Sequence, residues 1–208
     1  GWEPQIGVAA EIIFPYWLLL QCFERFGRES PHTRIELIES VLAGTNEALL
    51  QRHADLAISG QVPAGFVGDA LIRLRMIPAA HPDHPLHKLG RPLTQRDLRA
   101  HRQLVVRETD ARRASKPNAD TAQRWTVSHM STSIIAATQG FGFGWYAEEK
   151  IRSELAAGTL KPLPLREGAQ RFAQLYLVYA DRENAGPGVL RLAEIIHQMV
   201  NAECQRAS

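Results

Sequence analysis

Apolar and polar positions follow two different periods along the first 60 residues. Three short, mostly apolar runs have the pattern of strands in a buried sheet: "QIGVAA" (5–10), "TRIELIESVL" (33–42) and "DLAIS" (55–59). Between the first two runs lies a helix for which Pro15 suits the first turn, and its apolar face consists of Leu18, Leu19, Cys22, Phe23 and Phe26. Thr45 can cap a second, short helix that runs to about His53. This strand–helix alternation predicts a parallel, doubly wound α/β sheet.

A second set of α/β elements lies between two long extended segments, "ALIRLRMIPAA" (70–80) and "FAQLYLVYA" (172–180). Within it, Thr94 caps a short helix, Ser128 caps the helix "HMSTSIIAATQG", and Gly140 can end that helix. Two such sets joined by two extended segments predict two lobes with a two-strand hinge. We expect one lobe to comprise residues 1–79 and 180–208, and the other residues 80–179, so that the final helix returns to the first lobe.

Composition narrows the function classes. The chain has 208 residues, of which 45% are hydrophobic and 22% charged, which is ordinary for a soluble globular protein with a sizeable core. The longest oily stretch, "IIFPYWLLL", is too short for a membrane span and contains Pro15. The 24 basic and 22 acidic residues are scattered along the chain. The net charge of +2 therefore does not indicate a basic surface for binding nucleic acid. Cys22 and Cys204 alone indicate a reducing compartment, with Cys22 in the core.

The ends of the predicted strands are where polar side chains could meet a ligand. In open α/β sheets, ligands bind beyond the carboxyl ends of the strands, near helix N-termini. The residues at those ends, which we expect to face one another across a cleft, are Ala9, Ala10, Glu11, Ser59, Gly60, Gln61, Glu108, Thr109, Ser128, His129 and Met130. Asp55 enters its strand at the opposite end, so we expect it to accept hydrogen bonds from backbone donors there.

Several of these residues have two interpretations. Ser59 and Gln61 suit either ligand contact or ordinary turn chemistry. Glu11 precedes a helix, so its carboxylate could interact favourably with the helix dipole without any function, or it could bind a cationic or hydroxyl-bearing ligand. His129 suits either the ligand site or a helix-capping region without function.

No arrangement in the sequence predicts a metal, a cofactor or catalysis. His81, His84 and His87 in "HPDHPLHK" are separated by prolines and lack a completing ligand set, so we interpret this segment as a surface turn. "QGFGFGWY" is not a dinucleotide-binding motif, and we expect its glycines to let a strand approach its neighbours closely. There is no GxSxG, HExxH or P-loop motif. We therefore do not expect an enzyme.

Six stretches taken together carry a family resemblance: "IGVAAEIIFPYWLLLQCFERF", "PHTRIELIES", "LLQRHADLAISG", "PAAHPDHPL", "TQGFGFGW" and "ELAAGTLKPLP". Their order and spacing resemble the effector-binding domain of LysR-type transcriptional regulators over nearly the whole chain. The resemblance implies a bilobal fold of the type 2 periplasmic-binding-protein class, with two Rossmann-like lobes joined by two hinge strands. It also implies a cytoplasmic regulator whose interlobe cleft senses a small-molecule effector.

The resemblance further implies partners and site residues. Such domains pair side by side, head to tail, the full proteins are often tetramers, and DNA is bound by a winged helix-turn-helix that this chain lacks. By position, the cleft residues are Ala10, Glu11, Ser59, Gln61, Thr109, Ser128, His129 and Met130. Many members have Ser or Thr where this chain has Ala9, Ala10 and Glu11. Glu11 would repel an anion unless Arg107 or another cation compensates, so a neutral, aromatic or amine-bearing effector fits better.

Three alternatives remain open at this point. A secreted solute receptor would share the fold without a DNA-binding half. A bilobal enzyme would need a catalytic constellation that the sequence does not show. A constitutive interaction domain would keep its cleft empty and bind no small molecule.

Overall fold

A computed structural model of the chain describes residues 2–41, 43–107 and 123–207. The chain forms two compact units, one made of Gly1–Arg73 with Gln174–Ser208 (unit 1) and the other of Leu74–Ala173 (unit 2). It passes between them twice, each time within a long strand. The lobe boundaries expected from the sequence, after residues 79 and 179, lie near these divisions, and the assignment of the units as regulatory subdomains stays a prediction.

Unit 1 is a mixed sheet with helices packed on it. Its elements are β1 (Gln5–Glu11), α1 (Tyr16–Glu29), β2 (Arg34–Ser40), α2 (Ala43–Leu50), β3 (Leu56–Ser59), the first part of β4 (Val67–Ala80), most of β9 (Arg171–Tyr179) and α6 (Pro187–Ala207). The strand order is β2-β1-β3-β9-β4. β1 runs parallel to both β2 and β3, as predicted, whereas β9 joins β3 antiparallel. The final helix does return to the first unit, where α6 packs on α1.

The core of unit 1 explains why its strands are so apolar. β1 and β3 are covered on both faces, so from Ile6 onward every residue of β1 is buried, as is every residue of β3. Only one face of α1 is buried, which its helical spacing of apolar residues requires. Cys22 lies on that face and is fully buried, which confirms its assignment to the core.

Unit 2 contains the second part of β4 and a smaller set of elements. These are a 3-10 turn (Pro85–Lys88), α3 (Gln95–Arg99), β5 (Gln103–Val106), β6 (Arg124–Val127), α4 (Met130–Thr138), β7 (Gly144–Ala147), α5 (Arg152–Ala157) and β8 (Lys161–Pro162). β4 pairs antiparallel with β7 and β8, and β5 pairs parallel with β6. Its core contains Ala80, Leu86, Leu93, Leu98, Phe143 and Leu163.

Of the four residues predicted to cap or end a helix, two are confirmed and two are wrong. Pro15, predicted in the first turn of α1, is its N-cap, and α2 ends at Leu50 rather than at about His53. Thr94 caps α3 in a reciprocal capping box with Asp97, and Gly140 follows α4 with a φ of +82°. Thr45 does not cap α2, because the helix begins two residues earlier, at Ala43, and the Thr45 hydroxyl binds side chains of the sheet. Ser128 does not cap α4 either, since His129 holds the N-cap position without a side-chain hydrogen bond.

Asp55 has the structural role that its position predicts. Its Oδ2 accepts a hydrogen bond from the Gly7 backbone N–H at 2.8 Å, and its own N–H donates to the Gly7 carbonyl at 2.8 Å. β1 is therefore joined at its start to the residue that precedes β3. A Cβ at Gly7 would lie 2.9 Å from the His53 carbonyl oxygen, so the chains can approach this closely only with glycine there.

Replacing Asp55 with Ala is expected to lower the free energy of unfolding by about 1–2 kcal/mol, because the Gly7 N–H loses its acceptor. Asp55→Asn is the matched control, since its amide oxygen can still accept that bond. Urea unfolding followed by circular dichroism measures both. Equal losses in the two variants would mean that the charge of Asp55, and not its acceptor oxygen, stabilises this junction.

Candidate functional site

Three parallel strands of unit 1 end in polar residues at one edge of the sheet. β1 ends at Glu11, β2 at Ser40 and β3 at Ser59. The register pairs Glu11 with Ser40 directly, and it pairs Ala10 with Ile58, the residue before Ser59. All three side chains are buried, with Glu11 only 4% exposed. Buried polar groups require hydrogen-bond partners, and the first turn of α2 provides them.

Two short chains of hydrogen bonds link the strand ends to α2. Thr45 Oγ1 donates to Glu11 Oε1 at 3.1 Å and lies 2.6 Å from Ser40 Oγ. Either hydroxyl can donate in this second contact, and Ser40 Oγ also donates to the Ala10 carbonyl oxygen at 3.5 Å. On the other side, Ser59 Oγ donates to Asn46 Oδ1 at 3.1 Å. We call these five residues, Glu11, Ser40, Thr45, Asn46 and Ser59, the strand-end cluster.

The structure brings together only some of the residues predicted in the first unit. Glu11 and Ser59 belong to the cluster. The Ala10 side chain is fully buried, and its carbonyl accepts a hydrogen bond from the Tyr16 hydroxyl at 2.9 Å. Gln61 is exposed and touches the cluster through its backbone N–H, which donates to Ser59 Oγ at 3.4 Å.

Sequence reasoning missed three members of the cluster. Ser40 ends a parallel strand just as Glu11 and Ser59 do, so the strand-end rule could have found it. Thr45 was assigned to a cap, and nothing in the spacing of Asn46 distinguishes it from an ordinary helix residue.

Tyr16 lies at the start of α1, beside the cluster. Burial raises the pKa of its hydroxyl far above the usual value, and the negative charges of Glu39 and Glu11 raise it further. Tyr16 is therefore a neutral hydrogen-bond donor at any physiological pH.

In unit 2, the predicted residues lie where β6 leads into α4. Ser128 and His129 are exposed, whereas Met130 is buried. Behind them, Ser133 is buried and its hydroxyl lies 2.8 Å from that of Tyr146 on β7. Burial raises the pKa of Tyr146 to about 12, so this pair is uncharged. Thr109 lies outside the described residues.

The histidine-rich segment has separate structural contacts. His81 Nδ1 accepts from the Asp83 backbone, His84 Nδ1 accepts from the Leu86 backbone, and His87 Nε2 lies 3.4 Å from the Ala80 carbonyl oxygen. The interpretation of this segment as a surface turn is wrong for His84. Its side chain is buried, and the neighbouring Leu86 packs in the core of unit 2.

Within the described ranges, no three His, Cys, Asp or Glu side chains are grouped so that they could hold a metal ion. None of the helices described is long and apolar enough to cross a membrane.

The fold and the comparisons define the class of protein. A parallel β1–β2–β3 unit followed by a second α/β unit, with two strands crossing between them, is the type 2 periplasmic-binding-protein-like fold. The family model described as the LysR substrate binding domain matches residues 1–201, and the chain belongs to this family.

Relatives and solved structures agree with this assignment. The HTH-type regulator YeeY of Escherichia coli K12 is 29% identical over 166 residues, which cover 77% of this chain and 54% of YeeY. The chain thus spans about half the length of that relative. The regulatory domain of MetR from Neisseria meningitidis superposes with a TM-score of 0.73 at 18% identity, covering 95% of this chain and 94% of that one. The regulatory domain of Synechocystis PCC6803 CcmR, solved in complex with 2-PG, gives a TM-score of 0.76 at 13% identity, covering 95% and 98%.

Proposed function

We propose that this domain senses a small-molecule effector for a LysR-type transcriptional regulator. The observation that carries the proposal is the strand-end cluster, five polar side chains gathered where ligands bind in open α/β sheets, in a chain that matches the LysR substrate binding domain over residues 1–201. DNA would be bound by another part of a longer protein, in the cytoplasm. The relative YeeY is named an HTH-type regulator, which favours a regulator over a secreted solute receptor.

The residues suggest how sensing works. A ligand shifts a conformational equilibrium only through its different affinity for the two states. We propose that the effector contacts the strand-end cluster in unit 1 and Ser128, His129 and Met130 in unit 2, and that these contacts give it different affinities for the two states. Thr109 is retained as a candidate by position alone.

We assign no catalytic step to the cluster. The contacts described for its two serines are with the Thr45 hydroxyl and the Ala10 carbonyl for Ser40 and with the Asn46 side-chain oxygen for Ser59, and none of these groups is a general base that would activate a serine. Glu11 accepts a hydrogen bond from the Thr45 hydroxyl.

A thermal-shift screen of the domain against a diverse metabolite library tests the proposal. A true effector at about a hundred times its Kd is expected to add about 2.7 kcal/mol of stability. Ser59→Ala is expected to weaken that effect, because Asn46 loses its donor and turns away from the ligand. Asp55→Asn, at the opposite end of β3, is the control and should leave binding unchanged. If no compound shifts the melting temperature, the domain is not a sensor.

We also propose that copies of the domain associate in pairs, head to tail, and that the full protein forms tetramers. β2 is the outermost of the described strands on its side of the sheet, and α1 exposes Leu20 to the extent of 56%. The molar mass measured by light scattering should be that of a dimer for the natural domain and that of a single chain for Leu20→Asp. Leu50→Asp, at a 65% exposed leucine of α2, should remain a dimer.

A further inference from the structure

A cavity of about 480 Å³ lies at the end of the unit 1 sheet where β1 and β2 begin. Its walls are two chain segments: residues 2–4, which lead into β1, and residues 29–33, which join the end of α1 to β2. The strand-end cluster lies at the other end of the same strands, so the cavity is separate from the proposed effector site. Its volume falls within the range of about 300–1,000 Å³ that is typical of small-molecule sites.

Backbone hydrogen bonds and one ring contact hold the two wall segments in place. The Arg34 N–H donates to the Pro4 carbonyl at 2.9 Å, and the Ser30 N–H donates to the Phe26 carbonyl at 2.9 Å. The indole of Trp2 stacks on the fully buried ring of Phe26, with the ring centroids 5.5 Å apart. Because the walls are already fixed, a ligand would not have to order them, which lowers the entropic cost of binding.

The carboxylates of the walls are already bound to α6. Glu3 accepts the backbone N–H groups of Gly188 and Val189, at 2.8 and 3.4 Å, in the first turn of that helix. Glu29 accepts two hydrogen bonds from the Arg191 guanidinium, at 2.6 and 2.7 Å. A cationic ligand would have to compete with these partners, and an anionic ligand would meet two negative charges. The cavity therefore favours an uncharged ligand.

The hydroxyl groups of the walls are also bound within the protein. Thr33 Oγ1 donates to the Glu3 carbonyl at 2.8 Å and lies 2.8 Å from Ser30 Oγ. Half of the lining residues instead carry rings: Trp2, Pro4, Pro31 and His32. Among the described residues, neither the Trp2 indole N–H nor the His32 imidazole has a hydrogen-bond partner. The walls thus offer a ligand ring surfaces and two unused polar groups, and aromatic ligands gain most from stacking on such rings.

We infer that this cavity is a second binding site of the domain, and that its ligand is a flat, uncharged aromatic compound. The ring of the ligand stacks on the rings of the walls, and a polar substituent bonds to the Trp2 N–H or to His32. None of these residues belongs to the strand-end cluster. The inference therefore does not depend on the proposed effector-sensing function.

The experiment measures the binding of four matched probes to the natural domain by calorimetry. 2-Naphthol is flat and uncharged, and decahydro-2-naphthol has the same skeleton and hydroxyl group without the flat rings. 2-Naphthoate and 2-naphthylmethylamine add a negative and a positive charge to the flat skeleton. We expect 2-naphthol to bind with a Kd of about 1 mM or tighter, and each of the other three at least about tenfold more weakly.

Three variants locate the bound probe. Trp2→Ala should weaken 2-naphthol about tenfold or more, because it removes the main stacking surface. His32→Ala changes an exposed side chain, so it should weaken 2-naphthol about threefold without lowering the melting temperature. Trp125→Ala is the matched control, because Trp125 is 45% exposed and lies in unit 2. It should change the Kd by less than about twofold.

The outcomes separate this site from the effector site. Equal affinities for 2-naphthol and decahydro-2-naphthol would overturn the aromatic class of the ligand. Loss of binding in Trp125→Ala, or no binding to the natural domain, would overturn the site itself. If Trp2→Ala does not fold, the result for His32→Ala decides. The strand-end cluster is tested separately by Ser59→Ala in the metabolite screen, so either proposal can fail while the other stands.

Discussion

Acidification from pH 7 to pH 4 is expected to cost this domain about 3 kcal/mol of stability through the single side chain of His84. His84 is 6% exposed and lies in the turn between β4 and α3. Burial is the main cause that lowers the pKa of its imidazole to about 4 from an ordinary value of 6.5, and the nearby His101 and His87 contribute to the same shift. The ring of His101 stands edge-on to that of His84, with centroids 5.3 Å apart.

The geometry explains why the neutral ring is required. His84 Nδ1 accepts the Leu86 backbone N–H at 3.1 Å, so in the folded chain the ring proton resides on Nε2. Protonation would place a second proton on Nδ1, where it would face that N–H and break the bond. The positive charge would also be buried beside the apolar cluster that contains Leu86 and Leu93.

The direction of the pH effect follows from the lowered pKa. The unfolded chain takes up the proton near pH 6.5, whereas the folded chain resists it until about pH 4. The stabilisation is therefore complete above pH 6.5, declines between pH 6.5 and pH 4, and is absent at lower pH. His87, whose pKa burial also lowers, contributes in the same direction.

Urea unfolding at several pH values, with two variants, isolates this effect. His84→Asn keeps an acceptor for the Leu86 N–H but cannot titrate, so its unfolding free energy should fall by about 3 kcal/mol less than that of the natural domain between pH 7 and pH 4. Leu93→Ala is the control for packing, because it should lower stability by a similar amount at both pH values. Parallel pH profiles for the natural domain and His84→Asn would contradict the assignment.

The order of elements could be predicted because each apolar run has one dominant period. β1 and β3 are continuous apolar runs, whereas α1 has its apolar residues on one face. The two patterns differ, so the sequence distinguishes these strands from this helix. The role of Asp55 followed in the same way, since its place at the amino end of β3 puts its carboxylate beside the backbone N–H of Gly7 on β1. These predictions depend on local sequence and on the rules of parallel sheets.

What the sequence did not show depends on contacts between distant segments. The partners of Thr45 lie on β1 and β2, 34 and 5 residues away, so its hydroxyl looked like a free cap. The burial of His84 depends on how the unit 2 core closes over the turn. The strand-end cluster contains residues of both kinds. Sheet topology alone located Glu11 and Ser59, whereas Thr45 and Asn46 are positioned by the packing of α2, which the sequence did not show.

The second large effect concerns the glycines of "QGFGFGWY", which the sequence predicted to permit close approach of a strand. Gly142 is buried, and a Cβ built on it would lie 2.8 Å from the Arg102 carbonyl oxygen and 3.1 Å from Leu104 Cγ. The Phe143 N–H donates to that same carbonyl, and the Leu104 N–H donates to the Phe143 carbonyl at 2.8 Å. A backbone oxygen held in this way cannot move aside without breaking the bonds between β5 and the strand entering β7.

Gly142→Ala is accordingly expected to lower the free energy of unfolding by about 3 kcal/mol, from overpacking and weakened backbone hydrogen bonds. Gly27→Ala gives the opposite expectation, because Gly27 lies inside α1 with nothing within 4 Å of its Cβ position. Alanine there should add about 0.5–1 kcal/mol, since glycine costs more backbone entropy in a helix. Thermal and urea unfolding of the two variants and the natural domain measure both signs. Tolerance of alanine at Gly142 would show that β5 and β7 can separate, and that the closeness of these strands is not what this glycine provides.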